Sequence, residues 1–219
     1  MNLVLERVYR VCNTVKYQHQ EPISFKKLVA SVRKSFKDYG FDIAFKTIKT
    51  DELDFNEFYL EAYYYEDKDF NDDPPIEVLI YHRFEQVQKF QTVQISEFLI
   101  QIYDAVVHEF RHQHQYQNRD FEHYTTDKDG YAAYLADPDE VDAYALSISI
   151  ELLRAMPKHR ATMYMTRMTT LSKMKQNGCF VSPNLNSYSG YFKGNPLLKR
   201  LAKKVYKHLD HIDRNLIFK

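Results

Sequence analysis

His108 and His112 stand four residues apart with Glu109 directly after the first, in the stretch DAVVHEFRHQHQYQNRD at residues 104–120. On a helix, at about 100° per residue, the two imidazoles fall about 40° apart on one face, one turn above the other. Two ring nitrogens placed that way can reach a single zinc ion at about 2.0–2.1 Å. Glu109 is turned one residue step further round. It can flank the ion without binding it, and take a proton from a metal-bound water. His114 lies about 200° round the helix from His112 and belongs to the outer face. His82, His159, His208 and His211 have no partner at ligand spacing.

That geometry requires a helix, and residues 94–118 carry the longest helical pattern in the chain. Ile95, Phe98, Leu99, Ile102, Ala105 and Val106 recur at the spacing of one apolar face. The histidine pair falls on the shoulder of this stripe, near Gln101 and Asp104. Upstream, residues 2–16 and 24–38 have helical spacing, with Ser24 as N-cap of the second and Gly40 as its stop. FDIAFKTI, FNEFYLEAYYY and IEVLIYHR then predict three strands, with the acidic stretch 66–75 as a loop and Tyr63, Tyr64 and Tyr65 as sheet surface. Residues 119–136 read as a loop. Helices are expected over 137–154, 160–175 and 196–216. Helices, then strands, then helices predict an α+β fold: a small, mostly antiparallel sheet followed by the HExxH helix and further helices.

A chain of 219 residues can bury one core. The expected division is a domain over 1–155, its core at about 40–155, and a basic helical extension over 156–219 packed on it. Net charge is zero, but residues 1–150 hold 16 bases against 27 acids and residues 151–219 hold 14 against 3. Within 51–73, ten acids face Lys68 alone. The basic segment either offsets the acids, within the fold or in a dimer, or meets an acidic partner. Cys12 and Cys179 lie far apart, which excludes a cysteine zinc ribbon and suits a reducing compartment. No apolar run reaches a membrane-spanning length, and the first residues do not read as a signal peptide; a cytoplasmic protein is expected.

His108-Glu109-x-x-His112 on a helix after a small sheet resembles the zincin metallopeptidases, over about residues 40–155. The resemblance implies one Zn²⁺ per chain bound by His108 and His112, Glu109 as general base, and hydrolysis of a peptide or protein substrate by a metal-activated water. It also implies a cleft-edge role for the strand around 76–83. The metzincin branch wants glycine at 115 and histidine at 118, where this chain has Gln115 and Asn118. The deformylase pattern wants an upstream cysteine, and Cys12 lies in a predicted helix away from the sheet. The gluzincin pattern wants Glu-x-x-Ala on the next helix, and Glu140-Val141-Asp142-Ala143 fits. Glu140 is therefore the expected third ligand, with Asp142 and His123 as alternatives and Asp142 or Asp104 as a carboxylate orienting a histidine. A competing reading makes Glu140 the N3 member of a capping box begun by Asp137-Pro138. The oxyanion donor that zincins use is left open among Tyr124, Tyr131, Tyr134, Tyr144 and His123.

A second function stays open beside hydrolysis. The same scaffold could be a non-catalytic binding protein whose basic C-terminal segment grips nucleic acid or an acidic protein. An exposed lysine and arginine face within 193–207 would favour it; pairing with the acids of 51–73 would not.

Overall fold

The structure, a computed structural model, describes residues 1–55, 57–70, 72–84, 88–122, 130–170, 181–192 and 196–219. Helix α1 (Asn2–Gln18) leads through a short strand β1 (Ile23–Ser24) into helix α2 (Phe25–Asp38). Strands β2 (Ile43–Lys49), β3 (Phe58–Tyr64) and β4 (Ile76–His82) follow, then a short β5 (Lys89–Phe90) and the long helix α3 (Thr92–Asn118). Beyond it come α4 (Tyr131–Ala136), α5 (Pro138–Ala155), α6 (Lys158–Thr170), α7 (Pro183–Tyr191) and α8 (Pro196–His211). The architecture is α+β. Among the described residues, no helix is long and apolar enough to cross a membrane. The chain divides into two compact units, one of Leu3–Phe121 with Met1 and Phe218–Lys219, the other of Glu122–Ile217 with Asn2.

In the first unit the sheet order is β2-β4-β3, with β4 parallel to β2 and antiparallel to β3. A separate antiparallel pairing joins β1 to β5. Ile76, Val78 and Ile80 are fully buried on one face of β4. On that face Phe58 of β3 meets Phe98 of α3 at 5.5 Å between ring centroids, and Tyr64 meets Tyr116 at 6.1 Å. β3 therefore runs beside α3 from Phe98 to Tyr116. Helix α2 closes the layer through Phe36 against Phe45 of β2, and ends as its stop residue requires: Gly40 has φ of +71° and donates to the Lys37 carbonyl. Helix α1 reaches α3 through Cys12, whose thiol donates to the Leu99 carbonyl.

One expectation about the sheet is corrected. The strand over 76–83 is the central one, with both its edges hydrogen-bonded along Ile76–His82. It has no free backbone to offer a substrate. Among the described residues β3 pairs with β4 alone, so the strand beside α3 with an unpaired edge is β3.

In the second unit α5 is buried on nearly every side, through Val141, Ala143, Ala145, Leu146, Ile148, Ile150, Leu152 and Leu153. A helix apolar all round has to be enclosed by its neighbours. Helix α8 packs on it: Ser149 donates to the Val205 carbonyl at 3.2 Å, and Asp142 pairs with Lys204 at 3.0 Å. Helix α7, absent from the sequence reading, is anchored by Tyr188, whose hydroxyl donates to the Leu135 carbonyl at 2.8 Å. Ser182 caps it and donates to Glu151, which also accepts from Asn184. The expected loop over 119–136 contains α4, and α8 stops at His211 instead of Leu216, where a 3-10 turn over Arg214–Leu216 is capped by Asp213. α6 begins at Lys158, and residues 171–175 of the expected helix lie outside the described residues.

The outer face of the sheet holds one buried charge. Glu77 pairs with Lys46 and accepts from the Tyr65 hydroxyl at 3.3 Å. The hydrogen bond from Lys46 holds the Glu77 carboxyl below its usual range, against the opposing effect of burial. Because the folded value is the depressed one, this stabilisation is complete above the ordinary glutamate range, about 4.3, and is lost as pH falls through the folded value. Urea unfolding midpoints should therefore fall more steeply below about pH 4.5 in the native protein than in Glu77→Gln. Parallel curves for the two would show that the pair contributes nothing.

Candidate metal centre

Helix α3 sets the site. Its start is fixed by a capping box in which the Gln91 N–H donates to the Gln94 side chain at 3.0 Å and the Gln91 side chain accepts in return. Its inner stripe, Ile95, Phe98, Leu99, Ile102 and Val106, is fully buried. With that stripe locked against the sheet, the helix cannot rotate, and His108 and His112 are held half-buried at its margin. Their Nε2 atoms lie 3.2 Å apart, with ring planes inclined at 67°. Either nitrogen can be the donor across this contact, according to the tautomer each ring adopts. Glu109 is buried beside them, at 7% exposure.

The donor set fits zinc. Two ligands at about 2.0–2.1 Å on one tetrahedral ion stand about 3.3–3.4 Å apart, and the imidazole nitrogens are at 3.2 Å. Both rings present the same nitrogen to the same point. His108, His112 and Glu140 are each half-buried.

The local structure of α5 bears on the competing account of Glu140. Asp137 is the N-cap, its carboxylate accepting from the Asp139 N–H at 2.8 Å, with Pro138 in the first turn. The Asp137 N–H, which a capping box would direct to Glu140, is donated to the Tyr134 carbonyl at 3.0 Å. The short helix α4 ends on that bond, so the donor that would explain Glu140 as a cap is already engaged. Asp142, two residues further on, is about 200° round the helix from Glu140. It is buried and faces α8, 3.0 Å from Lys204 and 3.4 Å from the His208 ring. Asp104 sits half-buried one turn before His108. His123 and Tyr124 lie outside the described residues.

Three of the candidate oxyanion donors gather in the second unit. Tyr131 and Tyr134 of α4 stack at 6.0 Å, and the Tyr144 hydroxyl bonds to both. Burial pushes the Tyr144 phenol well up, helped by Tyr131 and the Glu140 carboxylate, so it stays a proton donor. Sequence reasoning missed two tyrosines, one in each unit. Tyr188, fully buried, feels Glu140 and Tyr144 and is likewise pushed up, first by burial. Tyr65, which had read as sheet surface, has its phenol raised by burial, then by Glu77, and to a smaller extent by Glu109. Its position just after β3, beside α3, was the available signal. His114 is exposed, held at the surface by Asn118 at 2.8 Å and Arg111 at 3.3 Å.

No protein-family model, curated protein or solved structure matches this chain.

Competition against a chromophoric chelator should find about one zinc per chain in the full-length protein. His108→Ala and His112→Ala should each weaken binding by about a hundredfold or more, and Glu140→Gln by at least tenfold (about the range for lost metal-site partners). Unchanged zinc binding in the double histidine variant would remove the site.

Proposed function

We propose that the protein is a zinc-dependent peptide hydrolase, with His108, His112 and Glu140 as metal ligands and Glu109 as general base. The observation that supports this most is the approach of the two imidazole Nε2 atoms to 3.2 Å on one face of α3, with a buried carboxylate at the next residue. A zinc ion bound there supplies Lewis acidity, polarising a substrate carbonyl and lowering the pKa of a coordinated water. Glu109, directly after His108 and turned one residue step further round α3, is assigned the base role and not a ligand role. It takes the proton from the attacking water and returns it to the leaving amine. Tyr131, Tyr134 and Tyr144 are the candidate donors to a developing oxyanion.

Hydrolysis of a quenched-fluorescence peptide library by zinc-loaded protein tests this reading. Glu109→Gln should lose activity by about two to four orders of magnitude while retaining its zinc. Activity surviving in Glu109→Gln would exclude Glu109 as the base, and a zinc-loaded native protein inert to the whole library would exclude the reaction.

A binding function has one observation in its favour. Lys199, Lys203 and Lys207 lie four residues apart on α8 with Arg200 beside the line, and all four are exposed. Lys204, the lysine on the inner side, pairs with Asp142 and not with the acids of 51–73. If that stripe grips a polyanion, labelled single-stranded DNA should bind with strong salt dependence, and the triple change of Lys199, Lys203 and Lys207 to Gln should abolish it. Binding that survives the triple change would discard the stripe as its cause.

A further inference from the structure

Alternate residues of a strand point to opposite faces. While Phe58 and Tyr64 turn to α3, Tyr59, Glu61 and Tyr63 of β3 turn the other way, opposite Tyr81, Leu79 and Glu77 of β4. Tyr59 and Tyr63 are exposed, at 37% and 42%. The Tyr59 and Tyr81 rings stack with centroids 4.5 Å apart and planes within 8° of parallel, forming one cross-strand aromatic stack. Beside the stack, Glu61 accepts from the Tyr63 hydroxyl at 3.0 Å and also from Tyr81. These bonds hold the carboxylate in place, and they push the Tyr63 phenol up to about 12.

The face already shows what it takes. Residues 43–82 hold eleven acids against three lysines. Two of those lysines sit at its margin: Lys46 on the Glu77 carboxylate, and Lys68 with its ammonium 4.2 Å from the Tyr65 ring centroid. One is an ion pair and the other a cation–π contact, the two ways a protein holds an ammonium group. Among the described residues no basic side chain pairs with Glu61 or lies over the Tyr59–Tyr81 stack.

We propose that this outer sheet face is a docking surface for an extended, lysine- and arginine-rich segment of a partner protein. A basic head group pairs with Glu61 while its aliphatic stem lies on the Tyr59–Tyr81 stack. An extended chain advances about 3.3 Å per residue, so a second basic residue two positions on lies about 7 Å away, towards Tyr63. The acids exclude a nucleic acid, whose phosphates they repel. The surface lies on the opposite side of the sheet from α3, so it stands or falls independently of the zinc reading.

The test is fluorescence anisotropy of a fluorescein-labelled decapeptide alternating lysine and serine, titrated with the full-length protein at low ionic strength. Saturable binding is expected, weakened about tenfold in Glu61→Gln and about fivefold in Tyr59→Leu, with unchanged circular dichroism in both. Glu97→Gln removes the same charge from an exposed position on α3 and should change the affinity less than about twofold. A glutamate–serine decapeptide should not bind. Absence of saturable binding, an unchanged affinity in Glu61→Gln, or equal losses in Glu61→Gln and Glu97→Gln would each overturn the proposal.

Discussion

Two imidazole nitrogens 3.2 Å apart are the constraint on which the site depends. At that separation the two rings share one hydrogen bond, and the same point is where a shared cation would sit. Holding them there takes a rigid helix. The rigidity comes from the other side of α3, where Phe98 is fixed among Phe25, Phe58 and Phe90 and the Gln91–Gln94 capping box pins the start. The aromatic core of the first unit is thus the positioning device for its polar margin. A small rotation of α3 would carry His108 towards the core or Glu109 into water.

Within each unit, opposite charges meet in ion pairs. In the second unit Asp142 takes Lys204, and Lys158 takes Asp210. In the first, Lys46 takes Glu77 and Arg119 takes Glu66 at 3.2 Å. Asp142 is the instructive case. Its position in Glu-Val-Asp-Ala makes it look like a rival ligand, but a helix turns about 200° over two residues. Glu140 and Asp142 therefore serve opposite faces of α5, one turned away from α8 and the other fastening the basic helix α8 to its support.

Periodicity made most of the elements legible. The stripe from Ile95 to Val106 marked α3, and the apolar run IEVLIYH marked β4. Pairing was not legible, because a buried strand looks the same whether it lies at the centre or the edge. The cleft-edge role expected of the strand over 76–83 came from the zincin resemblance, and the structure places that strand at the centre of the sheet. Helices α4 and α7 escaped because each is shorter than three turns and begins at a residue that also reads as loop, Gly130 in one case and Ser182-Pro183 in the other. The candidate site was legible where its residues lie on one helix, as His108, Glu109 and His112 do. The capping account of Glu140 could be weighed only once the Asp137 N–H had a visible destination, in the last turn of a helix that the sequence did not announce.

Strand β3 joins the two proposed surfaces of the first unit, and its pleat keeps them separate. Phe58 and Tyr64 anchor α3 and so bear on the histidine pair. Tyr59, Glu61 and Tyr63 face outward and bear only on the opposite surface. Adjacent residues thus answer to different demands: packing on one side, which tolerates little change in volume, and exposed hydrogen-bonded polarity on the other. Tyr65 stands where the strand ends and this alternation lapses. Its hydroxyl donates to Glu77 of the outer face while its phenol feels Glu109 of α3. Tyr65 is thus the residue at which the outer face and the α3 side of the sheet meet.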